Sequence, residues 1–152
     1  MNPSPKESFL PLIRALAQTF QALEQFSSHH VRQMDLTPPQ FDVLATLGNT
    51  PGMSCKDLSE NTLITKGTLT GVIDRLEDKG LVQRTPMEHD RRGVFISLTP
   101  RGEQLFAQVF PAHLEYMKSA FVSFSEGELE IMKQELIRLG QAFSHALEQQ
   151  TT

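Results

Sequence analysis

The chain has few of the features that identify enzymes, secreted proteins or membrane proteins. A single cysteine, Cys55, excludes an internal disulfide framework and a zinc site built from cysteines alone. No apolar run reaches the roughly 18 residues of a membrane span, and residues 1–10 lack a secretory signal, so we expect a cytoplasmic protein without a membrane partner. A nucleophile elbow, a phosphate-binding glycine loop and paired metal-binding histidines are also missing. We therefore expect no catalytic residues, no metal and no cofactor.

Basic residues are concentrated in the middle of the chain. Acids outnumber bases by 18 to 14 overall, which at first argues against a nucleic-acid partner. Residues 62–101, however, contain seven of the 14 Lys and Arg and five acids, whereas residues 102–152 contain three bases and seven acids. A solvated surface is the ordinary explanation of such a local excess. The middle third is still the segment that can meet phosphates without strong repulsion.

The first half of the chain predicts four helices. Apolar residues at a three-to-four spacing indicate a long amphipathic helix over residues 8–34. A Thr-x-x-Gln capping box at Thr37 begins a second helix, and Ser54 caps a short third one. A fourth helix starts at Thr62 or Thr65 and is stopped by a glycine, Gly80.

The second half predicts a hairpin and two more helices. Residues 81–84 and 94–98 are strand-like, and the polar residues 89–93 between them indicate a β-hairpin with a charged tip. Thr99 caps a fifth helix, which Pro111 is expected to kink or break. A Ser-x-x-Glu capping box at Ser125 begins a sixth.

Three short helices followed by a hairpin are the order of a winged helix-turn-helix. We expect a mainly α fold in which residues 1–34 form an N-terminal dimerisation helix, 35–99 the DNA-binding domain, and 100–152 the C-terminal dimerisation helices. The long amphipathic helices have no obvious partner within a sixty-residue winged helix, and a twofold bundle would bury them. The residues expected to form it are Phe9, Leu12, Leu16, Leu136, Leu139, Phe143 and Leu147.

The fourth helix has two contrasting faces. At 100° per residue, Leu69, Val72, Ile73 and Leu76 share the side expected to face the core. Small and hydroxylated residues on the other side would let the helix enter a major groove, with double-stranded DNA as the partner. An ordinary surface helix is the alternative. The residues expected to contact DNA, including those of the hairpin, are Ser54, Thr65, Lys66, Gly67, Thr68, Thr70, Gly71, Asp74, Arg75, Arg84, Asp90, Arg91 and Arg92.

The sequence Asp90-Arg91-Arg92 is expected at the hairpin tip. An arginine on a narrow protrusion can enter a minor groove, and a neighbouring carboxylate would hold the guanidinium in place. The alternative is an exposed turn in which Asp90 pairs locally with Arg92 and has no other role.

Residues 36–106 resemble the multiple antibiotic resistance regulator (MarR) family. The motifs that carry the resemblance are Leu36-Thr37-Pro38-x-Gln40-Phe41-x-Val43-Leu44, Thr68-Leu69-Thr70-Gly71-Val72-Ile73-Asp74-Arg75-Leu76-Glu77-Asp78-Lys79-Gly80-Leu81-Val82, Asp90-Arg91-Arg92 and Leu98-Thr99-x-x-Gly102. The resemblance implies a homodimeric transcription regulator, usually a repressor, that binds a pseudo-palindromic operator. It also implies that the first, fifth and sixth helices form the dimer. Gly71 stands where the family often has a larger polar or basic residue, so base contacts there are fewer.

Tyr116 and the many phenylalanines are ordinarily explained by packing in the core and the dimer, but a small aromatic effector bound between the helical bundle and the DNA-binding domain would use the same lining. Arg14, Phe26 and His30 are candidate lining residues. Cys55 follows a cap residue, a position at which a thiol can become reactive, but a lone cysteine is more often inert. The first helix lacks the reactive cysteine of the family's peroxide-sensing branch. Two rivals stay open, a winged helix used only for protein contact and a helical carrier or enzyme.

Overall fold

The computed structural model describes the backbone of residues 7–151 and their side chains except those of residues 90–92. Two compact units are formed, one running to Tyr116 and the other starting at Met117. The elements in chain order are α1 (Leu10–Gln33), α2 (Pro38–Leu47), β1 (Met53–Ser54), α3 (Cys55–Asn61), α4 (Lys66–Asp78), β2 (Val82–Met87), β3 (Asp90–Leu98), α5 (Pro100–Lys118) and α6 (Glu126–Gln150). This mainly helical architecture with a small antiparallel sheet confirms the predicted fold class.

The predicted helix starts are confirmed by their caps. Thr37 accepts a hydrogen bond from the Gln40 amide at 3.3 Å, and the Gln40 side chain accepts one from the Thr37 amide at 3.1 Å. Ser125 and Glu128 form the same reciprocal box at the start of α6. Both boxes satisfy amides that a helix leaves without partners in its first turn. Of the two candidate starts for α4, the structure selects Thr65.

The end of α4 determines where the sheet begins. Gly80 has φ of +73°, a left-handed conformation that glycine adopts at low cost. The Leu81 amide then donates to the Leu76 carbonyl at 2.9 Å, which reverses the chain into β2. This confirms Gly80 as the stop signal of α4.

The sheet differs from the predicted two-stranded hairpin in two respects. A third strand, β1, pairs with β3 through Met53 and Ser54, and the strand order is β1-β3-β2. Two residues are too short to show an alternating pattern, so the sequence does not reveal β1. The hairpin strands are also longer than predicted, so residues 90–93 lie in β3 and the turn is at Glu88 and His89. Polar side chains are tolerated there because the ladder is made by the backbone.

The core lies under α4, where Leu69, Val72, Ile73 and Leu76 are all buried as predicted. They pack with residues of the other elements, namely Val43, Leu44, Leu47, Leu58, Leu81, Val82 and Ile96. Helix α5 approaches this core closely at Gly102, where a Cβ would collide with the Leu81 carbonyl oxygen. Thr99 caps α5 by accepting from the Gly102 amide at 3.0 Å.

Helix α5 runs through Pro111 without interruption, so the predicted break does not occur. Proline removes one backbone donor, and the remaining hydrogen bonds of a 19-residue helix maintain it. In the second unit, no residue of α6 is buried. No helix in residues 7–151 is long and apolar enough to cross a membrane.

Candidate nucleic-acid interface

Helix α4 presents a small, polar face to solvent. Lys66, Thr68, Thr70 and Asp74 are exposed along it. A Cβ placed on Gly67 or Gly71 would meet no atom within 4 Å, so this face is open. The absence of bulk leaves the helix backbone accessible to a partner with a groove about 12 Å wide.

Among the described side chains, Lys66 and Arg75 form no ion pair. Both are exposed, one in the first turn of α4 and the other in the last. Nine residues of helix separate them by about 13 Å along the axis. The two cations therefore flank the small residues and can meet phosphates on either side of a groove.

A groove of about 550 Å³ lies between α4 and the wing, which consists of β2, β3 and their turn. Three residues predicted to contact DNA line it, namely Ser54 of β1, Arg84 of β2 and Thr70 of α4. The Ser54 hydroxyl accepts from the Asp57 amide at 3.0 Å as the cap of α3. Lys56 also lines the groove, although the sequence offered no signal for it beyond its place in the first turn of α3.

Arg84 is held by acidic residues of α4. Its guanidinium donates to Asp74 Oδ1 at 2.6 Å and to Glu77 Oε1 at 2.9 Å. Burial alone would lower the pKa of Arg84, but the hydrogen bonds that it donates to Asp74 and Glu77 raise it. Two residues predicted to contact DNA, Arg84 and Asp74, are thus partners of each other. Glu77, the other partner of Arg84, was not singled out from the sequence, because the turn between α4 and β2 separates the two residues.

The wing begins next to this cluster. The backbone of Asp90 pairs with Met87 across the hairpin, after a shift of register between Pro86 and Met87. The side chains of Asp90, Arg91 and Arg92 lie outside the described residues, so their predicted DNA contacts stay predictions. Thr65, the last of the predicted contacts, donates to the Thr68 hydroxyl at 3.2 Å.

Two of the three candidate effector residues belong to an aromatic cluster. Phe26 and His30 of α1 stack on Tyr116 of α5 with ring centroids 4.4 and 4.5 Å apart. His113 contacts His30 through their Nδ1 atoms, 3.0 Å apart, and it also packs on Phe41 of α2. The sequence did not predict this cluster, because its members come from three helices.

Arg14 is not part of this cluster. It lies twelve residues before Phe26 on α1, about 18 Å along the helix axis, in a separate shallow groove with Leu10 and Ile13. Within one chain the structure therefore separates Arg14 from Phe26 and His30.

His113 is the most buried member of the cluster, with 6% of its surface exposed. Burial first, and then the neighbouring His30, lower its pKa below the ordinary value. Its Nε2 faces the Ser27 hydroxyl at 3.1 Å, so a neutral ring is fully hydrogen-bonded. Across the described residues, no group of three or more His, Cys, Asp or Glu could hold a metal ion.

The predicted dimerisation residues of both units keep apolar surface in contact with solvent. Phe9 just before α1 and Leu12 on α1 are 50% and 52% exposed, and Leu136, Phe143 and Leu147 on α6 are 57%, 50% and 65% exposed. Leu16 and Leu139 are partly covered. Apolar patches repeated on long helices mark surfaces for association.

Comparison with known proteins gives a consistent result. The MarR family model matches residues 36–94. The HTH-type transcriptional regulator YsmB of Bacillus subtilis is 31% identical over 91% of this chain and 95% of its own. The solved structure of Bordetella bronchiseptica BpsR, a protein whose DNA binding is regulated by 6-hydroxynicotinic acid, has a TM-score of 0.76 and 26% identity over 86% of this chain and 98% of BpsR.

A MarR variant from E. coli in complex with operator DNA has a TM-score of 0.78 and 23% identity, covering 90% of this chain and 99% of that one. It shares the fold. With the exposed face of α4 beside the wing and a relative that matches over nearly its whole length, the chain belongs to the MarR family of DNA-binding transcription regulators, which are not enzymes.

Proposed function

We propose that the protein is a homodimeric, effector-responsive repressor that binds a pseudo-palindromic operator. The observation that carries this proposal is the open face of α4, on which a cation at each end flanks small and hydroxylated residues. In this proposal α4 enters the major groove, and the wing contacts the adjacent minor groove through Arg91 and Arg92. A repressor of this kind acts in the cytoplasm, where bacterial DNA lies.

The dimer follows from the uncovered apolar residues at both ends of the chain. Twofold association of residues 1–34 and 100–152 around the reading head, residues 35–99, would bury them and place two α4 helices about 34 Å apart, one turn of DNA. Operators of this type are pseudo-palindromes because their two half-sites mirror the symmetry of the protein. The MarR variant from E. coli, which shares the fold, has been solved in complex with operator DNA, and this supports operator DNA as the partner.

The test is a fluorescence-anisotropy titration with the intergenic DNA upstream of the protein's own gene, beside scrambled DNA, over a range of salt concentrations. Selective binding with a steep salt dependence is expected. Arg92→Ala should weaken operator binding by about 1–3 kcal/mol without unfolding the protein, whereas Arg138→Ala on α6 serves as the control. The proposal would be contradicted if the protein bound the intergenic and the scrambled DNA equally weakly and if in vitro selection also produced no duplex that it prefers. That result would favour a protein adaptor.

The effector site is proposed at a groove of about 550 Å³ between α1, α2 and the turn before α4. Phe41 and Ser27 line this groove and also contact His113, so the groove adjoins the aromatic cluster, although Phe26 and His30 do not line it themselves. Arg32 lines the same groove. The walls are largely apolar, and two acidic residues, Glu24 and Asp42, line the groove beside Arg32. Asp42 accepts a hydrogen bond from the Leu63 amide at 3.0 Å. Arg32 is the cation that would pair with an aromatic carboxylate, the chemistry of the ligand that regulates BpsR.

This assignment is tested by adding 6-hydroxynicotinic acid or benzoic acid to the protein–operator complex. Release of the DNA from the wild type, but not from Arg32→Gln, is expected, with Arg14→Gln as the matched control on the same helix. Release that is unaffected by Arg32→Gln would remove this groove from the proposal. No release of DNA from the wild type would remove this class of ligand.

A further inference from the structure

Arg84 connects the wing to α4, the proposed recognition helix, through three residues of that helix. It lies on β2, and its guanidinium donates to the Thr70 carbonyl at 3.4 Å, to Asp74 at 2.6 Å and to Glu77 at 2.9 Å. These three residues follow one another at spacings of four and three, so they form one line along α4. The Arg84 backbone amide also donates to the second carboxylate oxygen of Glu77, at 3.3 Å.

The geometry of this contact depends on the guanidinium. Its planar fork carries five donors and holds two carboxylates at once, whereas a lysine ammonium acts as a single point charge. The Arg84 side chain is 27% exposed, less than Asp74 at 57% or Glu77 at 42%. It is thus the most enclosed member of the group and lies between the two elements that it joins.

We propose that Arg84 is a positioning residue for operator recognition, which fixes the spacing between the wing and α4 by bridging Asp74 and Glu77. Because this role requires that α4 and the wing read adjacent grooves, it rests on the proposed function. Direct DNA contacts of Arg84 and Asp74 stay predictions, and the experiment below distinguishes them from this role.

Two physical consequences follow from this role. The first is that α4 and the wing meet the DNA as one rigid body, because the line of contacts runs along about two turns of α4. Such preorganisation favours a duplex whose major and minor grooves are correctly spaced over one that is not. The second is that Arg84 compensates two carboxylates that would otherwise repel phosphates next to the recognition helix. The first effect acts on selectivity for the operator, whereas the second acts on affinity for any duplex.

The test compares the affinity of the full-length protein for two duplexes, one obtained by in vitro selection with the wild type and one scrambled to the same composition. Arg84→Lys keeps the charge and loses the fork. We expect it to lower the ratio of the two affinities by about tenfold or more, since a bidentate contact is replaced by one point charge. A role in stability alone would leave this ratio unchanged, and thermal unfolding reports such a role separately.

The matched control is Arg138→Lys, which changes an exposed arginine that bonds Glu135 at 2.9 Å on α6. It should leave the ratio at its wild-type value. If Arg84→Lys does not fold, Asp74→Asn and Glu77→Gln remove the same bridge from the other side and should lower the ratio as well.

Two results would overturn the inference. One is a wild-type ratio in Arg84→Lys. The other is an equal loss of affinity for both duplexes in Arg84→Gln with a salt slope reduced by about 0.9, which would make Arg84 an ordinary phosphate contact. A wild-type protein that selects no sequence at all would contradict the proposed function instead.

Discussion

Replacement of Leu136 by aspartate should dissociate the proposed dimer. Leu136 lies on the apolar stripe of α6 and is 57% exposed within the single chain. Full burial of a leucine stabilises by about 1.5–3 kcal/mol, so burying this exposed part contributes about 1–2 kcal/mol. Twofold symmetry doubles the loss to about 2–4 kcal/mol.

The carboxylate adds to this loss. An unpaired charge in an apolar interface is costly, so the total should reach at least about 4 kcal/mol per dimer, or about a thousandfold in the dimer Kd. Leu136→Ala, which removes the contact without adding a charge, should produce only the smaller part.

Sedimentation velocity over a range of protein concentrations measures this change directly. Gln141→Asp is the matched control, because Gln141 is exposed and lies on the opposite side of α6. Circular dichroism verifies that each variant stays helical. If Leu136→Asp remains as dimeric as Gln141→Asp, the stripe of α6 is not the interface, and a wild type that sediments as a monomer at every concentration would refute the dimer itself.

Three further changes test the reading head and the aromatic cluster. Gly71→Ala should stabilise the protein by about 0.5–1 kcal/mol in urea unfolding, because alanine favours the helix and the added Cβ meets open space. The same variant should weaken operator binding if this face of α4 lies in the major groove. Unchanged binding would exclude Gly71 from the contact. Gly102→Ala should destabilise the protein by about 1–3 kcal/mol through collision with the Leu81 carbonyl, measured by thermal unfolding, whereas Gly140→Ala on α6 meets open space and should not. Lowering the pH from about 7.5 to about 5.5 should reduce the free energy of unfolding. The reason is that His113 in the unfolded chain binds a proton near the ordinary pKa of 6.5, whereas in the folded chain its lowered pKa keeps it neutral. His113→Asn should show a smaller pH dependence of stability, and an equal one would contradict the assignment.

Local signals in the sequence predicted most of the helices and the order of elements. Capping boxes at Thr37 and Ser125, and the stop at Gly80, are decided by side chains within a few residues of the backbone groups that they satisfy. The buried face of α4 was equally predictable, since a period of 3.6 residues places its four large apolar residues together.

Pairings between distant segments were not predictable in this way. Strand β1 has two residues, and only its register with β3 makes it a strand. The wing strands extend through polar residues because backbone hydrogen bonds, not side-chain pattern, determine their length. Pro111 is tolerated because the rest of α5 maintains the helix around it.

The sequence by itself determined the helices and their order, the two faces of α4 and the family, because these depend on composition, spacing and contacts within one or two turns of chain. Tertiary structure decided which charges remain available. In the sequence, Asp74 on α4 and Arg84 on β2 look like two independent polar residues, but folding brings their side chains within 2.6 Å of each other. It likewise gathers Phe26, His30 and His113 from different helices into one cluster. Such pairs are set by the crossing of elements far apart in the chain, and no local spacing encodes that crossing.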